Sequence, residues 1–134
     1  MGRLRIDRLT GPPAPLVRAD GRVVVARCHR ARTPLARAIG LLFTSDLRPD
    51  EGLWLEPCSS VHALGLRARI GCAFLDAGGR VLRVVDPLPP GRAAGARGAR
   101  VVVEAPAGVL AASLRPGEVV GLGQCAAPSP VTAT

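Results

Sequence analysis

The sequence predicts a small, mainly β single domain, barrel- or sandwich-like, with one or two short helices. Short β-branched runs recur along the chain ("GRVVVARC", "RVLRVVD", "ARVVVEA", "EVVGLG") between Gly, Pro and Asp turn signals, as expected of many short strands. Hydrophobic residues reach 48% while aromatics are only 2%, so Val, Leu, Ile and Ala must fill the core. The 134 residues are enough to close one core without a disulfide or metal staple.

Residues 1–21, with "GPPAP", read as an extended leader, 22–123 as the β-rich domain, and 124–134 ("QCAAPSPVTAT") as a flexible tail with too little to bury. After the turn signal Asp20-Gly21 the first strand spans about residues 22–29. "RTPLARAIGLLF" then gives a helix: Thr33 caps it, Pro34 suits its first turn, and Leu35, Ala38, Ile39 and Leu42 share one face. Gly40 weakens that helix and marks close approach to a neighbour. "TSDLRPDEG" is loop, and "LWLEP" a short strand with Leu53 and Leu55 opposite Trp54 and Glu56.

"RIGCAFLD" alternates so that Ile70, Cys72 and Phe74 share a face; "DAGG" is turn chemistry, and "RVLRVVD" returns as the second arm of a hairpin. "PLPPGRAAGARG" reads as an exposed loop. "ARVVVEA" is a further strand, "PAGVLAASL" a short helix entered through Pro106, and "EVVGLG" a last strand.

The net charge of +8 suggests nucleic acid, but all 18 basic residues are Arg and none is Lys, as a GC-rich genome would write. They are scattered and have almost no rings beside them for base stacking. No stretch approaches the length of a membrane span, and "MGRLRIDRLTGPP" lacks an apolar signal core; a soluble, cytoplasmic chain is expected. Cys28, Cys58, Cys72 and Cys125 are irregularly spaced, unlike a secreted disulfide framework.

Zinc would need a local chelate, yet there is no C-x-x-C or H-x-x-x-H. Cys58 and His62 would stand about 13 Å apart on a strand, too far for one metal. A Cys-His nucleophile pair needs the imidazole within reach of the sulfur. Cys58 or Cys72 with His62 keeps that reading open, although Cys72 between Gly71 and Ala73 also reads as a small buried hydrophobe. The ten acids sit mostly at turns and offer no paired carboxylates. "GRAAGARG" lacks G-K-[ST], leaving a loop that contacts an anionic partner through Arg92, Arg97 and Arg100, or one simply solvated.

In order, "TPLARAIGLLF", "DEGLWLEP", "CSSVHALGLRARIGCAFLDAGGRVLRVV", "VVVEAPAG" and "RPGEVVGL" resemble the bacterial and archaeal domain-of-unknown-function family 192, from about Arg22 to Leu122. The resemblance implies a compact, mostly β fold and no established activity; many relatives look exported or lipid-anchored. In the subgroup this chain resembles, the central segment reads His, then Gly-Met, then an aromatic-Pro-hydrophobic-Asp step. Here His62 and Gly65 match, while Leu66 stands for Met, Ala68-Arg69 for the aromatic-Pro pair, and Gly71 for Asp.

These departures favour a scaffold or binding role over catalysis. The leading expectation is a non-enzymatic module that binds a small ligand or a protein partner at a pocket around Trp54, His62, Gly65 and Gly71, with no catalytic residue, metal or cofactor assigned. A thiol-dependent enzyme using Cys58 or Cys72 with His62 competes with it. Non-specific nucleic-acid binding through dispersed Arg is the third reading.

Overall fold

The computed structural model describes residues 12–31, 48–62, 70–89 and 91–123, with His62 described by its backbone alone. The expected helix at residues 33–42, Gly65, Cys125 and the tail lie outside them. The elements are β1 (Ala14–Arg18), β2 (Val23–Ala31), β3 (Glu51–Leu55), β4 (Ser60–His62), β5 (Ile70–Leu75), β6 (Val81–Leu88), β7 (Ala93–Gly95), β8 (Val101–Pro106), α1 (Val109–Ser113) and β9 (Val120–Leu122). The mainly β fold class follows directly.

Seven strands form one sheet in the order β6-β5-β8-β3-β2-β1-β9, and β4 pairs with β7 in a second, two-stranded sheet. β2 and β3 run parallel, with His29 beside Leu53 and Arg30 beside Trp54. The other paired strands are antiparallel. A parallel pair cannot be joined by a tight turn, and β2 and β3 are separated in sequence by residues 32–50.

The edge strands β6 and β9 meet at one end, rolling the large sheet toward a barrel. Arg80 bridges Val119; Val81 N–H donates to Glu118 O at 2.7 Å, Gly117 N–H to Val81 O at 2.8 Å and Val120 N–H to Gly79 O at 2.9 Å. Gly79 permits this approach twice over: its φ is +87°, and an added Cβ would collide with the Val120 carbonyl oxygen.

Strand alternation sorts the apolar residues into two layers. Leu53, Leu55, Ile70, Cys72, Phe74 and Val102 form one, against which Ala94 and Ala96 pack at β7. Trp54, Ala73, Leu75, Val101, Val103 and Ala105 face the other way, joined by Leu110 and Leu114 at the two ends of α1. The expected faces of β3 and β5 are therefore the observed ones.

Three boundaries differ from the sequence reading. Ala14–Arg18, expected in an extended leader, is a sheet strand: it pairs with both β2 and β9, and Leu16 is fully buried. "PLPPGRAAGARG" is not loop throughout, because β6 runs to Leu88 and Ala93–Gly95 pairs with β4. Pro106 ends β8, where it can terminate the ladder, and α1 starts three residues later. No helix among the described residues is long and apolar enough to cross a membrane.

Candidate functional site

The larger cleft, about 440 Å³, lies between the approach to β4 and the approach to β8, lined by Pro57, Cys58, Ser59, Ser60, Ala99 and Arg100. Backbone bonds hold its two walls together: Cys58 N–H donates to Arg100 O at 3.0 Å and Ala96 N–H to Ser59 O at 3.3 Å. Cys58 Sγ–H donates to Ser60 O at 3.2 Å. Ser59, Ser60 and Arg100 are exposed. Residues 87–100 contain no acid, and among the described residues the guanidiniums of Arg92, Arg97 and Arg100 have no ion-pair or hydrogen-bond partner.

A second cleft, about 250 Å³, opens beside Trp54. Trp54 Nε1–H donates to Glu56 Oε1 at 2.9 Å. This cleft lies at the Val101 end of β8, whereas α1 follows the Pro106 end.

A third group is sealed inside the sheet. Glu104 stands in register between Leu53 and Cys72 and is fully buried. Among the described residues neither of its carboxyl oxygens has a hydrogen-bond partner. Burial alone pushes its pKa up to about 8, because an ion in an apolar layer loses its hydration without compensation. On the same face, His29 Nε2 is 3.3 Å from Glu51 Oε2, both residues buried. Among the described residues no group of three or more His, Cys, Asp and Glu is arranged to hold a metal ion.

Of the residues expected to share one pocket, Trp54 and Gly71 can be placed by their surroundings, and they do not line the same cleft. Trp54 lines the second cleft. Gly71 is buried near α1, and Asp86 fills the space beside it. The backbone of His62 pairs with Ala93, while Gly65 lies outside the described residues. Of the arginine set, Arg100 reaches the larger cleft. Sequence reasoning missed Arg30, Asp86 and Glu104; a lone acid inside the apolar run "RVVVEA" was the available signal for Glu104.

The thiols differ in kind. None of Cys28, Cys58 and Cys72 is in a disulfide. Burial pushes the Cys28 thiol up to about 12. Burial, followed by the charges of Glu104, Asp86 and Cys58, pushes Cys72 higher still. Such thiols are poor nucleophiles, which makes the more accessible Cys58 the better candidate of the pair named from the sequence. Brief treatment of the native protein with an aromatic disulfide reagent, read by peptide mass mapping, is expected to label Cys58 about a hundredfold or more faster than Cys28 and Cys72. Equal labelling of the three would contradict this ordering.

The family model for DUF192, described as Uncharacterized ACR, matches residues 16–122. No curated protein matches the chain. Among solved structures, a protein of unknown function from Novosphingobium aromaticivorans DSM 12444 is similar at 24% identity, over 81% of this chain and 83% of that one, with a TM-score of 0.67. A Sinorhizobium meliloti 1021 protein, provisionally described as a transcription regulator, is similar at 18% identity, over 83% and 92%, with a TM-score of 0.69. At these identities the two structures support the fold and carry no activity across. The family match spans nearly the whole described fold, β1 through β9, and on that ground the chain belongs to the DUF192 family.

Proposed function

We propose that this chain is a non-enzymatic binding module whose larger cleft takes a small anionic ligand. The observation that carries the reading is an uncompensated cation at the cleft: Arg100 lines it, its guanidinium has no partner among the described residues, and Arg92 and Arg97 on the same acid-free segment bring no compensating charge. Ser59 and Ser60 add hydroxyl donors on the facing wall. A guanidinium meets a carboxylate or phosphate in a fixed, two-pronged geometry, and about 440 Å³ suits a small molecule. A small ligand is favoured over a protein partner because the large hydrophobic residues exposed among the described ones are just Val23 and Val119, too little for an apolar docking patch.

The test is titration of the isotope-labelled protein with inorganic phosphate and, separately, with malonate, following backbone amide signals. Shifts are expected at Ser59, Ser60 and Arg100. Affinity is expected to fall about ten- to hundredfold in Arg100→Gln, the loss of a charge-assisted hydrogen bond, and to weaken as salt is raised. Shifts confined to other regions, or an affinity indifferent to Arg100→Gln, would refute the reading. A thiol-dependent reaction is the second reading, because Cys58 lines the same cleft. Cys58→Ser is expected to leave anion affinity unchanged.

A further inference from the structure

The smaller cleft is a separate site with a different chemistry. Trp54 and the aliphatic residues Val101, Val120 and Leu122 supply its apolar lining. Its ionic groups are Arg30, Glu56 and Asp76, one cation and two carboxylates.

Each ionic group is partly committed and keeps capacity to spare. Asp76 Oδ1 accepts the N–H groups of Gly78 and Arg80, each at 2.9 Å, and among the described residues Oδ2 accepts no hydrogen bond. Glu56 Oε1 accepts the indole N–H of Trp54. Arg30 Nη2 stands 3.9 Å from that same oxygen, too far for a hydrogen bond. Among the described residues Arg30 Nε, itself buried, has no hydrogen-bond partner. The Arg30 side chain as a whole is 40% exposed, so its outer guanidinium nitrogens are open to a carboxylate in the cleft.

The register explains how these groups come to share one cleft. Arg30 and Trp54 are direct neighbours on the parallel strands β2 and β3, so their side chains rise from the same face. Glu56 follows two residues after Trp54 and returns to that face. The turn at Asp76–Gly79 is brought in by the hydrogen bonds that join β6 to β9.

We propose that this cleft binds a small zwitterion, a free α-amino acid with an apolar side chain. Its carboxylate pairs with Arg30, its ammonium faces the spare oxygens of Glu56 and Asp76, and its side chain lies on Trp54 and Val120. A simple carboxylic acid would meet two like charges, and a simple amine would bring no carboxylate to the Arg30 guanidinium. At about 250 Å³ the cleft is below the range of drug-sized pockets.

Trp54 is the single tryptophan of the chain, so its fluorescence reports on this cleft alone; calorimetry provides a second readout. L-leucine is expected to give a saturable fluorescence change and a matching heat. N-acetyl-leucine, without the ammonium, and isoamylamine, without the carboxylate, are each expected to bind at least about tenfold more weakly. Arg30→Gln is expected to cost about tenfold or more in leucine affinity.

Absence of saturable leucine binding by both readouts would overturn the proposal. So would isoamylamine binding as tightly as leucine, or leucine affinity unchanged in Arg30→Gln. Arg100→Gln should leave leucine binding intact, which keeps this result distinct from the fate of the larger cleft.

Discussion

Glu104→Gln is expected to flatten the pH dependence of stability between about pH 4.3 and pH 8, and Glu104→Met to stabilise the protein outright at neutral pH. Glu104 lies in the middle of the large sheet, fully buried, with both carboxyl oxygens unpartnered among the described residues and its pKa pushed up to about 8 by burial. An unfolded glutamate titrates near about 4.3. The folded protein therefore holds this proton more tightly than the unfolded chain. Stability from this group is fully present below about pH 4.3, falls as pH rises toward about 8, and levels off beyond.

Each pH unit in that interval removes up to about 1.4 kcal/mol, a loss on the order of 3–5 kcal/mol by the end of it. Gln keeps the shape and removes the titration, but its amide is still a buried polar group without partners, so its net gain at pH 7 is about 1–3 kcal/mol. Met removes both costs. Urea midpoints measured across pH, with the variant curves subtracted from wild type, isolate this group from the neighbouring His29–Glu51 pair. Parallel curves for wild type and Glu104→Gln would mean that the carboxyl has a partner in solution, and the argument would fail.

Much of the fold was legible because short strands write their burial directly into sequence. Leu53 and Leu55 part from Trp54, and Ile70, Cys72 and Phe74 share a layer, as period-two alternation requires. β1 was not legible: "APLVR" has two prolines before it and one within it, so local propensity spoke for an extended leader, and its partners β2 and β9 decided otherwise. β7 is the same case in a weaker form. "AAG" has no strand propensity, and it becomes one by pairing with Ser60–His62.

The candidate sites were less legible, since convergence of distant residues is not a local property. Arg100 was named for a basic loop, but its cleft depends on Pro57–Ser60, some forty positions earlier. Trp54 was named for its ring, while Arg30, which shares its cleft, is visible only through the parallel register of β2 with β3.

Gly71→Asp is expected to destabilise the protein strongly, although it installs the residue that the resemblance in the sequence would place there. The reason is a carboxylate already present. β6 has one extra residue opposite Gly71, since Ile70 pairs with Leu88 and Cys72 with Val85, and such a bulge re-aims a side chain. The side chain so placed is Asp86: a Cβ on Gly71 would overlap its Cγ and Oδ1 and come within 2.8 Å of its Cβ.

Asp86 cannot move aside freely. Its Oδ1 accepts from Gly108 N–H at 2.8 Å and its Oδ2 from Ala111 N–H at 2.9 Å. The N-cap residue of α1, Gly108, provides no side-chain cap of its own, so a carboxylate from the neighbouring strand satisfies the first turn of the helix. Displacing it combines overpacking, about 1–3 kcal/mol, with loss of a cap, about 1 kcal/mol, and Gly71→Asp adds a second negative charge at the same point.

Gly71→Ala should show the steric part alone, and Asp86→Ala the cap alone. If Asp86 occupies the space by which Gly71 is constrained, the cost of Gly71→Ala must shrink by at least about 1 kcal/mol in the Asp86→Ala background, a coupling that denaturant midpoints of the four proteins resolve. The double variant Gly71→Asp, Asp86→Ala tests the exchange itself. Recovery of most of the lost stability means that the carboxylate is required at this place in space and not on a particular strand. Strict additivity of the two single effects would show instead that the two positions do not share one site.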